Sequence, residues 1–212
     1  VNILPAHAAL VEGDEEIVIS HQHTLPMLVG DFELHLGPRS FSQTNTGVAS
    51  QLYRQVAQWA NESDARSLWD LYCGVGGFAL HAALGGVEHI SGVEISPEAI
   101  ASAQHTAADL GVNDRVHFIA ADAQEWAIAQ GANACPEAIV VNPPRRGIGA
   151  TLAQWLNDSR ARFVIYSSCN PKSLAADLKL MPNYAPIQAR LFDMFPHTEH
   201  KECAVLLHNM LV

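Results

Sequence analysis

Asp70-Leu-Tyr-Cys-Gly-Val-Gly-Gly-Phe-Ala79 joins a strand-like apolar run, SLWDLYC at 67–73, to a helix-like one, FALHAAL at 78–84. A glycine turn at such a junction lets the backbone approach a ligand closely, and the helix start offers N–H groups without partners. The alternation repeats downstream. HISGVEI at 89–95 reads as the next strand. Ser96-Pro97-Glu98 marks a helix start, because serine caps, proline suits the first helical position and glutamate favours the positive end. Ile100, Ala103, Ala107 and Leu110 line one face, and Gly111 ends the helix. RVHFIAAD (115–122), EAIVVN (137–142) and RFVIYSS (162–168) follow as strands, with helical stretches between them. Strand and helix alternating at this spacing predict an α/β fold with a mostly parallel twisted sheet and helices on both faces.

The two ends differ from the middle. PIQARLFDMF (186–195) and ECAVLLH (202–208), joined by the short PHTEHK turn, predict an antiparallel strand pair closing the sheet. Before the glycine turn, Leu52, Val56 and Trp59 share one helical face. Residues 1–37 read as short strands. EGDEE at 12–16 and Gly30-Asp31 are expected as turns beside IVIS (17–20) and FELHL (32–36), the latter half-buried by its alternation. The division expected is an N-terminal β segment at 1–40 and a catalytic domain at 41–212.

The chain has 212 residues, room for one α/β domain and a small appendage. It opens VNILPAHAAL without an initiating Met, which suggests a piece of a longer protein. No apolar run is long enough for a membrane helix, and no signal peptide opens the chain. Twelve Lys and Arg against 22 Asp and Glu give a net charge of −10, so a broad basic footprint for nucleic acid is absent. The four cysteines show no CxxC spacing, which argues against a disulfide scaffold or a zinc site and fits a reducing compartment.

Several residues then stand out by position. Glu94 ends the second strand of the alternating series, where a carboxylate can take both hydroxyls of a ribose. Asp122 ends the third, within reach of an adenine. Gly74-x-Gly76-x-x-Ala79 also matches a dinucleotide fingerprint, so an NAD-dependent oxidoreductase is one reading. Asp70 opposes it, since an acid there disfavours a pyrophosphate and suits a cationic amino-acid ligand. Asn142-Pro-Pro-Arg-Arg-Gly147 follows EAIVV, and its prolines hold Asn142 extended at the carboxyl edge of the sheet. Asn170 and Pro171 read as the cap and first residue of a helix, which leaves Cys169 at a positive helix end that suits a thiolate nucleophile. Cys73, Cys135 and Cys203 lie in or beside apolar runs and look structural. His197 and His200 lack a third ligand at suitable spacing, so no metal is expected. Glu202 starts the last strand, and Gln43, in Phe41-Ser-Gln-Thr-Asn45, offers both a donor and an acceptor.

FSQTN (41–45), DLYCGVGG (70–77), GVE (92–94), NPPRRG (142–147), SSCNP (167–171) and FDMFPHTEHKE (192–202) occur in one order. The set resembles the RNA uracil-C5 methyltransferases, and within them the bacterial enzymes that act on 23S ribosomal RNA. The resemblance implies a class I, Rossmann-like fold and S-adenosyl-L-methionine as cofactor. It implies Cys169 as nucleophile and Glu202 as general base, with Gln43, Tyr72, Gly74, Glu94, Asp122 and Asn142 holding cofactor or target base. Relatives often carry Asp at the place of Asn142 and Phe at that of Tyr72. Such enzymes have a preceding RNA-binding region, in this type with a four-cysteine iron–sulfur site, and none of those cysteines is in this chain. The partner implied is 23S ribosomal RNA, contacted locally by Arg145, Arg146 and Lys172, for a cytoplasmic monomer with no protein or membrane partner. Rival readings are an adenine amino-methyltransferase, which leaves Cys169 idle, and a cofactor-binding fragment inactive without its RNA-binding region. A glutamate with the ordinary pKa of about 4.3 would be ionised and ready at neutral pH.

Overall fold

The structure, a computed structural model, describes residues 2–3, 13, 15–38, 40–131 and 134–212. Two short strands, β1 (Asn2–Ile3) and β2 (Glu15–Glu16), pair antiparallel. A hairpin follows, β3 (Leu25–Val29) and β4 (Phe32–Leu36), then helix α1 (Thr46–Glu62). The alternating series is β5 (Ser67–Leu71), α2 (Gly77–Leu84), β6 (His89–Glu94), α3 (Pro97–Asp109), β7 (Val116–Ala120), α4 (Ala123–Gln130), β8 (Ala138–Val141), α5 (Gly149–Asp158), β9 (Phe163–Ser168) and α6 (Pro171–Leu178). β10 (Tyr184–Phe192) and β11 (Glu202–Asn209) end the chain. The sheet order is β10-β11-β9-β8-β5-β6-β7. β5 to β9 run parallel, and β11 is inserted antiparallel between β9 and β10.

Side-chain alternation builds two cores. Leu68, Ile90, Val140, Ile165 and Leu206 face α1, α2, α3 and the β3–β4 hairpin. Their neighbours Trp69, Ile139, Val164, Val205 and Leu207 face α4, α5 and α6. The central strands β5, β8 and β9 are buried on both sides, as parallel sheets require, whereas the edge strands β7 and β10 expose residues. Leu52, Val56 and Trp59 of α1 are buried as their spacing predicts. Ser96 caps α3 by accepting the Ala99 N–H at 3.2 Å, and Asn170 caps α6 by accepting the Lys172 N–H at 3.1 Å.

The N-terminal region departs from the sequence reading in two places. IVIS (17–20) is not a strand, and Ile17, Val18 and Ile19 are exposed. The partner of FELHL is Leu25–Val29 instead. Gly30 (φ 74°) and Asp31 form a two-residue connection that fixes that register, whereas β propensity alone supplies no pairing partner. The EGDEE turn falls partly outside the described residues, and Glu15–Glu16 within it are paired with Asn2–Ile3. FELHL alternates as expected, with Phe32, Leu34 and Leu36 buried.

Candidate active site

The series runs outward from β5 in both directions, to β6 and β7 on one side and β8 and β9 on the other. The crevice at such a reversal, beyond the strand carboxyl ends, is where α/β sheets bind ligands. The loops after β5, β8 and β9 converge there, and each carries one of the segments singled out above.

After β5 the chain turns through two left-handed glycines, Gly74 (φ 54°) and Gly76 (φ 83°). Nothing lies within 4 Å of where a side chain on Gly74 would begin, so its surface is open to a ligand. Asp70, fully buried, anchors the turn from beneath by accepting the Ala79 N–H at 3.0 Å through Oδ2. Its Oδ1 has no partner. Burial, aided by the charge of Glu94 and opposed by the Ala79 bond, pushes the Asp70 carboxyl up to about 7. Glu94 accepts the Gly74 N–H at 3.3 Å with one oxygen and the Ser96 N–H at 3.0 Å with the other. Each oxygen keeps acceptor capacity for a further donor.

Tyr72 has a left-handed backbone (φ 65°) although it is not glycine. That turn swings its ring away from the Asp70 face and onto the α4–α6 core. Tyr72 and Asp122 line one cleft of about 220 Å³, with Gln124, Arg146, Gly147, Ile148 and Gly149. Asp122 also caps α4, accepting the Glu125 N–H at 2.9 Å.

Asn142 donates its backbone N–H to the Leu71 carbonyl at 3.4 Å, which seats its loop beside Tyr72. One side chain ties this loop to the cysteine loop and a second ties its end to α6. Asn170 Nδ2 donates to the Arg145 carbonyl at 2.9 Å. Asp177, buried in α6, accepts the Ile148 N–H at 2.9 Å and the Tyr166 hydroxyl at 2.6 Å. Asp177→Ala would orphan both buried donors. We expect it to cost about 2–4 kcal/mol in urea unfolding, against about 1 kcal/mol for Tyr166→Phe, which removes only one bond and leaves no donor behind.

Cys169 is partly exposed between β9 and α6. The β9–β11 register pairs Ser168 with Cys203 and Ser167 with Ala204. Cys169 follows directly on Ser168, and Glu202 directly precedes Cys203 at the start of β11. Glu202 is buried, on the sheet face that also carries Asp70, and accepts the Ser167 hydroxyl at 2.6 Å. Burial outweighs that bond and pushes Glu202 up to about 7, so the expectation of a fully ionised base at neutral pH is corrected. Tyr53 of α1, buried beside Gly77, is held neutral by burial and then by the charges of Asp70 and Glu202.

Raised carboxyl pKa values couple stability to pH. Between the unfolded value of about 4.3 and the folded value near 7, native Glu202 keeps a proton that the unfolded chain has lost. Its contribution to stability is therefore full below pH 4 and lost as pH rises through 7, and Asp70 acts in the same direction. Glu202→Gln is expected to flatten this decline in urea unfolding measured from pH 5 to 8.

The structure thus joins Gly74 to Glu94, Tyr72 to Asp122, and the Asn142 loop to the Cys169 loop. Gln43 is buried just before α1, and among the described residues no hydrogen bond ties it to the others. Burial pushes up the thiols of Cys73, Cys135 and Cys203. Ser167, Tyr53 and Asp177 were not singled out from sequence. Asp177 was the most legible, because it falls three residues after Leu174 on the inner face of its helix.

A sheet with one inserted antiparallel strand, a glycine turn after β5 and an acid closing β6 make up the Rossmann-like architecture of S-adenosylmethionine-dependent methyltransferases. The family model described as tRNA (Uracil-5-)-methyltransferase matches residues 22–210, and the chain belongs to that family. It is 48% identical over 97% of its length to the 23S rRNA (uracil(747)-C(5))-methyltransferase RlmC of Salmonella arizonae, covering 54% of that protein. The RlmC of Salmonella newport is 47% identical over 99% of the chain, which covers 55% of it. The chain spans about half the length of these curated relatives. Among solved structures, the Pyrococcus abyssi tRNA (uracil-54, C5)-methyltransferase in complex with S-adenosyl-L-homocysteine superposes with a TM-score of 0.84 at 27% identity, over 97% of this chain and 48% of that one.

Proposed function

We propose that this chain carries the catalytic centre of an RNA uracil-C5 methyltransferase that uses S-adenosylmethionine and acts on 23S ribosomal RNA. The observation that carries the reading is buried Glu202, bonded to the Ser167 hydroxyl two residues before Cys169, with Asn170 tying the cysteine loop to the loop after Asn142. The residues at the glycine turn fit the methyl donor. Asp70 has a buried oxygen in want of a donor, Gly74 leaves open space, and Glu94 has spare acceptors. Asp122 and Tyr72 would complete the holding set. When bound, the donor supplies a methyl group on a sulfonium, an electrophile that carbon can attack. The oxidoreductase reading fits less well, because Asp70 already occupies an N–H of α2.

Uracil C5 is too weak a nucleophile to take a methyl group unaided. The Cys169 thiolate adds to C6, forming an S–C6 bond and moving the C5=C6 pair onto C5 and its neighbouring carbonyl. Amide donors on Gln43 and Asn142 stabilise the resulting enolate oxygen. C5, now electron-rich, would take the methyl as its bond to the donor's sulfur breaks and leaves a neutral thioether, and C5 would still hold its proton. Glu202 takes that proton, the pair re-forms C5=C6, and the S–C6 bond breaks to return the thiolate. Asn142 lacks the negative charge of Asp, but its neutral amide both donates and accepts hydrogen bonds. The uridine must leave its stack to reach Cys169. Exposed Arg145, Arg146 and Lys172 flank the two loops and offer phosphate contacts despite the net charge.

The choice of 23S RNA over transfer RNA is supported by the higher identity to the RlmC proteins. Among the described residues no helix is long and apolar enough to cross a membrane. Titration with S-adenosylmethionine and NADH, followed by transfer of labelled methyl to 23S or transfer RNA, tests the proposal. Binding of S-adenosylmethionine alone and label in 23S RNA are expected. Tight NADH binding would overturn the reaction class, and label confined to transfer RNA would overturn the substrate. Donor binding without transfer would identify a cofactor-binding unit that needs further chain to engage RNA.

A further inference from the structure

We propose that His35, His105 and Asp109 form a binding site for a divalent transition ion of the Zn²⁺ type, which clips the β3–β4 hairpin onto α3. Among the described residues, these three bring one ligand atom each within 4.8 Å of one another. His35 Nε2 lies 2.8 Å from Asp109 Oδ2, and His105 Nε2 lies 3.6 Å from the same oxygen. Two ligands at the usual distance of about 2.0–2.1 Å from a tetrahedral zinc sit about 3.3 Å apart, so these separations bracket what the ion needs. Two imidazoles and one carboxylate form a borderline-soft donor set that suits zinc and leaves a fourth position for water.

The frame is built before any ion arrives. His105 and Asp109 are four residues apart on one face of α3. The His35 backbone N–H donates to Thr106 Oγ1 at 3.2 Å, and that hydroxyl donates to the Ser102 carbonyl at 3.1 Å. Strand and helix are thus locked in register one residue from His105. Behind the His35 ring, Nδ1 lies 3.2 Å from Thr24 Oγ1. Metal-binding histidines commonly have such a partner on the second nitrogen, which fixes ring orientation. The two rings stack with centroids 4.0 Å apart and planes 16° apart, and only His35 reaches Asp109 at full hydrogen-bond distance. His105 is the surplus ligand. More than half of its side chain is exposed, so its ring is free to turn toward an ion.

The site is remote from the candidate active site. Glu94 and Ser96 adjoin the start of α3, and Asp109 ends it about 18 Å further along the helix axis. Calorimetric titration of the chain with ZnCl₂ alone is expected to show one equivalent bound in the micromolar range and a raised thermal midpoint. In His105→Ala and in Asp109→Asn the affinity for that equivalent should fall at least tenfold and the midpoint shift should vanish. Both side chains are more than half exposed, so circular dichroism should find both variants folded, and their S-adenosylmethionine affinity should equal the wild type's. Failure of the wild type to bind Zn²⁺ up to millimolar concentration would overturn the proposal. So would an equivalent that keeps its affinity in both variants, because it would then reside on other histidines or the free cysteines.

Discussion

Cys169→Ala is expected to lower methyl transfer by at least about 10³-fold while leaving donor binding unchanged. The size follows from the chemistry. Without addition at C6 there is no electron-rich C5, so the residue contributes to a covalent step rather than to a single stabilising contact. Cys169 lies between β9 and α6, away from the Gly74–Glu94 hydrogen bond that shapes the donor side, so the two properties should separate. Single-turnover transfer of labelled methyl, with donor affinity measured in parallel, checks both. A variant with normal turnover would remove Cys169 from the mechanism.

Glu202→Gln should fail at a later step. Addition and methylation remain possible, but the C5 proton has no acceptor, so the methylated RNA is expected to stay attached to the protein. Turnover should drop by about 10²–10⁴-fold, the range of general-base contributions. Denaturing gels of variant and RNA would show the attached species, absent from the wild type at steady state. The buried environment adds a pH signature. With Glu202 pushed to about 7, the base is half protonated at neutral pH, and proton removal in the wild type should accelerate as pH rises through 7. A rate flat from pH 6 to 8, with proton removal limiting, would contradict that role.

The alternating middle of the fold was legible because its punctuation is local. Gly74, Gly76 and Gly111 permit left-handed turns, Ser96-Pro97 and Asn170-Pro171 cap and open helices, and apolar runs fill the intervals. The cysteine and glutamate came from motifs within single segments. What the sequence concealed depends on partners far along the chain. IVIS has strand propensity but no strand to pair with, while Leu25–Val29 gains one through a two-residue turn. The basicity of Glu202 depends on burial and on Ser167, 35 residues away. Tyr72 points to the opposite face because of its positive φ, which no pattern of hydrophobicity encodes. His35 stands 74 residues from Asp109, so the spacing rules that dismissed His197 and His200 as metal ligands had no means of finding this cluster.

The central claim is that Cys169 attacks uracil C6. A covalent trap tests it most directly: the chain, S-adenosylmethionine and 23S RNA containing 5-fluorouridine, followed by proteolysis and mass spectrometry of the attached nucleotide. Fluorine cannot leave C5 as a cation, so the methylated adduct cannot resolve. The result predicted is a single adduct on the peptide containing Cys169, dependent on the methyl donor and lost in Cys169→Ala. An adduct on another cysteine, or one that persists in Cys169→Ala, would contradict it.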